Sequence, residues 1–372
     1  MLLTAVVFLL ILSVLVLIHE AGHFFVAKFF GIKVEEFGFG LPPRIFGKKI
    51  GETVYSINWL PIGGFVKLFG EDEAGAGRPN LKVKTQNIKK GDEKRAFFAK
   101  PVWQRALVVF AGVFMNFVLA VVIISILFSV VGVQTPGNKV TVDAVVKGAP
   151  AQEAGLKAGD IIISANQVLI TSSEQLVTYA KSHLGEKLNI QLQTSNLKLK
   201  TIEITPRKVY PANEGPMGIA ISQNVVIQKY PWYKAPFIGV YQALQDSWLV
   251  VSGLVMLVVQ LFTKGAVPQG VAGPIGIAQL TGVVIGIGLP AVLSLVSLLS
   301  LNLAIINLLP IPALDGGRLF FILIEGIFHK KVNQKFEERA HMIGMIFLLG
   351  LIALITLHDL FRILTGQPII PK

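Results

Sequence analysis

The chain of 372 residues contains no cysteine, and only 15% of its residues are charged. The absence of cysteine excludes disulfide bonds and thiolate ligands, so any bound metal must be held by histidine, aspartate or glutamate. The low charge excludes an ordinary soluble domain, because hydrophobic residues make up 53% of the sequence. The composition therefore predicts an integral membrane protein.

The net charge of +12 does not indicate a nucleic-acid partner. The basic residues are concentrated beside apolar runs, which is the pattern that orients helices in a membrane. We therefore expect no nucleic acid among the partners and a lipid bilayer as the surroundings of the chain.

Four apolar runs predict transmembrane helices, since about 20 apolar residues are needed to cross a bilayer. The runs cover residues 2–27, 106–133, 290–309 and 341–361. The first run lacks the basic start and the small-residue cleavage site of a signal peptide. We therefore expect it to remain in place as the first transmembrane helix.

The distribution of charge predicts the orientation of these helices. Residues 31–103 contain thirteen lysines and arginines against eight acidic residues, so this loop is expected in the cytoplasm. We expect the shorter apolar stretch at 248–262 not to cross the membrane. If it crossed, the C-terminal end of the third helix would lie on the opposite side of the membrane from the C-terminal end of the first. The basic segment that begins at Arg318 agrees with this arrangement. We predict an amphipathic helix at the membrane surface over residues 235–263.

The first apolar run ends in a metal-binding HExxH motif. Its histidines are His19 and His23, and residues four apart lie on one face of a helix, so both can bind one zinc ion. Glu20 lies on the same turn and can act as a base toward water. The motif indicates a hydrolase whose active site lies within the membrane.

A catalytic zinc site usually has three protein ligands, and Asp315 is the candidate for the third. It follows the third apolar run, where Pro310 and Pro312 break the helix and two glycines after Asp315 let the backbone bend. An aspartate before glycine can also simply form a turn. Both interpretations of Asp315 stay open from the residues alone.

Two further segments have strand patterns. Residues 52–69 alternate in short runs and predict a β-hairpin with 61–64 as its turn. This segment is apolar enough that we expect it to lie against the membrane. Residues 140–206 predict a small β-rich soluble domain, and their segments 148–151 and 155–162 resemble the PDZ domain.

The combination of motifs resembles the site-2 protease family of intramembrane zinc metalloproteases. The resemblance rests on HExxH in the first span, NxxPxxxxDG at 307–316 and a PDZ domain between them. Because only one PDZ domain is visible, the chain is most similar to the bacterial single-PDZ branch, which is related to the regulator of sigma E protease. Residues 112–116 resemble the GxxxN pattern of the family's second span, and 273–277 resemble a motif ahead of its third. We expect Gly112 and Asn116 to pack helices.

The resemblance implies roles for individual residues. It makes His19, His23 and Asp315 the zinc ligands, and Glu20 the general base and acid. Asn307 would steady the substrate or the developing oxyanion by donating a hydrogen bond. The hairpin would hold a substrate as an added strand.

The expected fold is a multi-pass α-helical membrane protein with four transmembrane helices, a metalloprotease core, a membrane-associated β-hairpin and an inserted extracytoplasmic PDZ domain. The expected segments are a first transmembrane helix at 1–30, a cytoplasmic loop at 31–103, a second helix at 104–133, the PDZ domain at 138–210, an extracytoplasmic linker with the amphipathic helix at 211–289, a third helix at 290–317 and a fourth at 340–362. The N-terminus would lie outside a bacterial plasma membrane, with the active site near the cytoplasmic side.

The expected activity is zinc-dependent endopeptidase cleavage of transmembrane segments in single-span proteins, such as anti-sigma factors, or of remnant signal peptides. The PDZ domain would bind a peptide C-terminus or act as a folded spacer. One alternative is a non-catalytic receptor or adaptor that uses the PDZ domain, but such a protein has no use for Glu20. Another is a metal transporter, which would place ionisable residues along several spans.

Overall fold

The computed structural model describes residues 2–71, 92–194, 196–211, 214–265, 267–268, 270–330 and 332–367. The chain forms two compact units. The helical unit consists of Met1–Val131 and Pro231–Lys372, and the sheet unit is Gly132–Tyr230.

The described helices are α1 Leu2–Phe29, α2 Val102–Val130, α3 Pro150–Glu153, α4 Ser173–Ser182, α5 Ala235–Lys264, α6 Pro274–Ile287, α7 Leu289–Leu308, α8 Asp315–Phe328 and α9 Gln334–Leu364. The described strands are β1 Val34–Ile50, β2 Thr53–Leu68, β3 Val133–Val145, β4 Ile161–Ala165, β5 Val168–Leu169, β6 Leu188–Gln193, β7 Leu199–Ile204 and β8 Ile219–Gln228.

Among the described residues, five helices are long and apolar enough to cross a membrane, namely α1, α2, α5, α7 and α9. The chain is therefore a multi-pass membrane protein. Four of these helices overlap the four predicted spans. The fifth, α5, is one continuous helix of 30 residues in the region where we expected an amphipathic helix. Its placement at the membrane surface stays a prediction.

The predicted third helix at 290–317 is wrong in its extent, because α7 ends at Leu308 and α8 begins only at Asp315. Leu309 is extended, since a residue before proline is sterically pushed out of the helical conformation. Proline also lacks the N–H that would continue the helix. Residues 309–314 therefore form a turn that delivers Asp315 at the start of a new helix.

Small residues form the contacts between the helices of the helical unit. A Cβ atom on Gly22 of α1 would collide with the carbonyl oxygen of Ala111 on α2. The Ser300 hydroxyl of α7 donates a hydrogen bond to the main-chain oxygen of Asn116 on α2 at 2.7 Å. Such contacts let apolar helices approach closely, which is how helices associate where water provides no driving force.

The β-hairpin pairs β1 with β2, and its turn lies at Gly51 and Glu52. The predicted turn at 61–64 is wrong, because these residues lie inside β2. Gly63 has a positive φ of 80° in a region where the strand register shifts, so this glycine marks an irregularity of the strand and not its end. The Ser13 hydroxyl donates to the Pro61 carbonyl oxygen at 2.8 Å and joins β2 to α1.

The sheet unit contains a six-stranded sheet in the order β7-β6-β4-β3-β8, with β5 beside β4. Its core is formed by alternating apolar residues of the strands and of α4, including Val140, Ile162, Leu176 and Ile190. The Ser172 hydroxyl accepts a hydrogen bond from the Gln175 amide and caps α4. The predicted boundary at 210 is too early, because β8 pairs along β3 and completes the sheet.

The glycine motif at 273–277 forms the start of α6, where it meets the last turns of α9. The carboxylate of Asp359 is fully buried and accepts a hydrogen bond from the Gly276 amide at 2.7 Å. A Cβ atom on Gly273 would lie 2.9 Å from the same carboxylate. Arg362 lies 3.5 Å from Asp359 and donates to the Gln279 side chain at 2.8 Å. A negative charge at the N-terminus of α6 is also favoured by the helix dipole.

We predict that Asp359→Ala lowers the free energy of unfolding by about 2–3 kcal/mol, because it leaves the buried Gly276 amide without its acceptor and the buried guanidinium of Arg362 without its counter-charge. The measurement is the midpoint of thermal unfolding in detergent. Asp246→Ala is the matched control, since Asp246 is half-buried and accepts a hydrogen bond from Gln242 of its own helix. Equal midpoints for the two variants would contradict this role of Asp359.

Candidate metal centre

The HExxH motif lies on the buried face of α1. His19 is 6% exposed, and its Nε2 atom lies 3.2 Å from Nε2 of His23 one turn later. The α-helix explains this arrangement, because side chains four residues apart point the same way. Both imidazoles therefore direct the same nitrogen toward one point.

Asp315 reaches this point from the other end of the sequence. Its Oδ2 atom lies 2.8 Å from His19 Nε2 and 3.3 Å from His23 Nε2. The turn before it packs so tightly against α8 that a Cβ atom on Gly316 or Gly317 would collide with main-chain oxygens of that turn. The two glycines of the motif are needed for this close packing.

The three atoms have the spacing that zinc ligands need. Atoms bound to a tetrahedral zinc at about 2.0–2.1 Å lie about 3.3 Å from one another. The three observed separations are 2.8, 3.2 and 3.3 Å. The residues present therefore fit a zinc ion held by two imidazoles and one carboxylate.

The hydrogen bonding of His23 agrees with this fit. Its Nδ1 atom lies 2.8 Å from the Val108 carbonyl oxygen, which can only accept, so the proton is on Nδ1. Nε2 of the neutral ring then has a lone pair available to a metal ion. An outer hydrogen bond of this kind is usual for a metal-binding histidine.

The close approach of α2 is what brings Val108 to the site. Gly112 lies one turn after Val108, and a Cβ atom there would collide with the His23 ring and lie 2.9 Å from the His19 ring. Gly112 was expected only to pack helices, and the structure shows that it packs against the two histidines themselves.

Glu20 faces a cavity beside the three candidate ligands. The cavity measures about 180 Å³, and its lining includes Glu20, His23 and Asp315 together with Val66 of the hairpin. This volume holds several waters at about 30 Å³ each. The carboxylate accepts a hydrogen bond from the Val66 amide at 3.0 Å, so the hairpin fixes its orientation.

Asn307 lies half-buried in the last turn of α7. In the part of the chain that the structure describes, no hydrogen bond joins its side chain to the candidate ligands or to Glu20. Its role in substrate binding stays a prediction.

Several residues near the site were not found from the sequence. Arg318 is one of the basic residues that follow the third apolar run. It lines the cavity and forms an ion pair with Glu71. His341 is 5% exposed, and its Nδ1 accepts a hydrogen bond from the Ala313 amide at 2.8 Å. His341 thus holds the turn that delivers Asp315.

Comparisons with known proteins agree with the geometry. The family model described as peptidase family M50 matches residues 7–351. A protein of Clostridium perfringens is 34% identical over 357 residues, which cover 95% of this chain and 97% of that protein. The zinc metalloprotease RasP of Bacillus licheniformis is 32% identical over an alignment of 429 positions, gaps included, which covers 97% of this chain and 99% of RasP.

The regulator of sigma-W protease RasP of Bacillus subtilis is 31% identical, and its alignment also covers 97% of this chain and 99% of that protein. These matches extend over nearly the whole length of each chain and confirm the family that the motifs predict. The chain is a zinc metalloprotease that belongs to peptidase family M50, the site-2 proteases.

Proposed function

We propose that this metalloprotease cuts peptide bonds within transmembrane segments, with zinc held by His19, His23 and Asp315 and with Glu20 as general base. The observation that carries the proposal is the convergence of the three candidate ligand atoms within 4.8 Å in the helical unit. Zinc, when bound, supplies Lewis-acid chemistry that polarises a carbonyl group and acidifies a water.

Glu20 does the proton transfer in this proposal. It lines the same cavity as His23 and Asp315, and its carboxylate is oriented by the Val66 amide. It takes the proton from the attacking water and passes it to the nitrogen of the leaving amine, which is general base and then general acid catalysis. Asn307 would donate a hydrogen bond to the substrate or to the developing oxyanion.

The hairpin supports an extended substrate. Phe65, Val66 and Leu68 of β2 line the cavity, so a peptide paired with this part of the hairpin would run past the candidate ligands. A peptide in a helix hides its carbonyl groups in its own hydrogen bonds. Strand pairing exposes the scissile carbonyl and uses main-chain contacts that accept many sequences.

The substrate class follows from where the site lies. The ligands are on α1 and beside α7, two helices apolar enough to cross a membrane, so the peptide that reaches them is itself apolar. Single-span proteins such as anti-sigma factors and remnant signal peptides have this chemistry. The name of the Bacillus subtilis relative, which regulates sigma-W, favours the first of these.

The orientation in the membrane belongs to the same proposal. Lys28 in the last turn of α1 and the basic residues of the following loop favour a cytoplasmic location for this end of the helix. The N-terminus and the sheet unit then lie outside a bacterial plasma membrane. The sheet unit would be a PDZ domain that binds an exposed C-terminus or excludes folded proteins from the site.

We predict that Glu20→Gln keeps zinc but lowers the cleavage rate of a single-span reporter in liposomes by about 100- to 10,000-fold, the usual contribution of a general base. Glutamine keeps an oxygen that accepts the Val66 hydrogen bond, so the change removes only the proton transfer. Zinc content and cleavage are measured on the same preparation. Glu93→Gln, at an exposed position of the helical unit, is the control. Wild-type cleavage by Glu20→Gln would exclude the mechanism.

The orientation is tested with the thiols that the chain lacks. Single cysteines at Glu93 and Lys200, both exposed, are the only thiols in their variants. A membrane-impermeant maleimide added to intact cells is expected to label Lys200→Cys, whereas Glu93→Cys reacts only after the cells are opened. Labelling of both variants in intact cells would contradict the topology.

A further inference from the structure

We infer that Asn116 is a positioning residue for the metal centre, because its side-chain amide is placed to bind the His19 nitrogen that faces away from the metal. This inference rests on the proposed set of zinc ligands. Asn116 lies in α2 and its side chain is fully buried. Its amide nitrogen lies 3.2 Å from His19 Nδ1, on the side of the ring opposite to Asp315.

A neutral imidazole has one proton, and binding through one nitrogen places that proton on the other. His19 Nε2 is the atom near Asp315 and His23, so a metal-binding His19 must have its proton on Nδ1. A buried N–H needs an acceptor, and an unpaired one costs about 1–3 kcal/mol. Asn116 places its side-chain amide at Nδ1, and it can therefore supply the acceptor that the metal-binding tautomer needs.

The amide can serve His19 in either tautomer. As placed, the NH₂ group of Asn116 faces Nδ1, which suits a ring that has its proton on Nε2 and donates to Asp315. The Oδ1 atom is buried and has no hydrogen-bond partner among the residues that the structure describes, so none of their donors holds the amide in this orientation. Rotation by 180° exchanges two groups of nearly equal size and turns Oδ1 toward Nδ1. Oδ1 then accepts the proton of the metal-binding tautomer.

The main chain of Asn116 is fixed independently of this rotation. Ser300 of α7 is fully buried, and its hydroxyl donates to the Asn116 carbonyl oxygen at 2.7 Å. This bond holds α2 and α7 together but leaves the side-chain amide free to turn. The packing role and the tautomer role of Asn116 can therefore be separated by substitution.

Three variants separate the two roles through zinc affinity, measured by competition with a chelator in detergent. Asn116→Leu keeps the volume of the side chain but has no acceptor, so the affinity should fall roughly 10- to 100-fold, the usual effect of removing an outer partner of a ligand. Asn116→Asp keeps an acceptor at the same place, so its affinity should stay within about threefold of wild type or increase. Ser300→Ala should leave the affinity unchanged.

A packing role predicts the opposite order, since leucine fits an apolar contact and a buried carboxylate does not. Wild-type affinity in Asn116→Leu, or weaker zinc binding in Asn116→Asp than in Asn116→Leu, would overturn the inference. If Asn116→Asp does not fold, the comparison of Asn116→Leu with Ser300→Ala decides alone, with the thermal midpoint of the zinc-free proteins as the check of folding.

The zinc affinity of wild type and of Asp315→Ala shows whether the proposed ligand set fails or only the role of Asn116. If wild type binds zinc and Asp315→Ala does not, the ligand set stands and the variants of Asn116 test only its positioning role. If Asp315→Ala binds zinc as tightly as wild type, the proposed ligand set fails, whatever the variants of Asn116 do.

Discussion

The contact between Asp315 and the two histidines of α1 is the constraint on which the rest of the helical unit depends. A carboxylate among apolar helices costs several kcal/mol unless charge or hydrogen bonds compensate for the lost water. Here the compensation comes from residues 19 and 23, almost three hundred positions earlier in the sequence. The fold of the helical unit must therefore bring two distant segments to within about 3 Å, the length of a hydrogen bond.

This requirement explains the glycines and prolines around the site. Gly22 and Gly112 let α1 and α2 approach until a main-chain carbonyl of α2 reaches His23. The prolines between α7 and α8 end one helix, and Gly316 and Gly317 let the turn fold back onto the next. The hairpin then covers the remaining side, where the Val66 amide orients Glu20. α2 and the hairpin thus each place a main-chain polar atom at the site.

The features that could be predicted from the sequence are those encoded over short distances. The spacing of His19 and His23 follows from the period of a helix, and the apolar runs give the long helices. The turn of the hairpin was mispredicted, because proline and two glycines resemble a loop, whereas Gly63 sits inside a strand. Strand β8 was missed because its partner β3 lies about eighty residues earlier.

The outer contacts of the site could not be predicted either, for a related reason. The Val108 carbonyl and the Val66 amide are main-chain atoms, which leave no mark in the sequence. Asn116 and His341 have polar side chains within apolar runs, a signal that fits many roles until the structure places them. Their partners are known only when the helices are packed.

The central claim is that the two histidines of α1 and Asp315 at the start of α8 bind the same metal ion. Zinc K-edge absorption spectra of the purified wild type and of Asp315→Ala test it directly. We expect two imidazole ligands and oxygen ligands that include one carboxylate in wild type, and loss of zinc or of that oxygen ligand in the variant. Identical zinc content and identical spectra would contradict the claim.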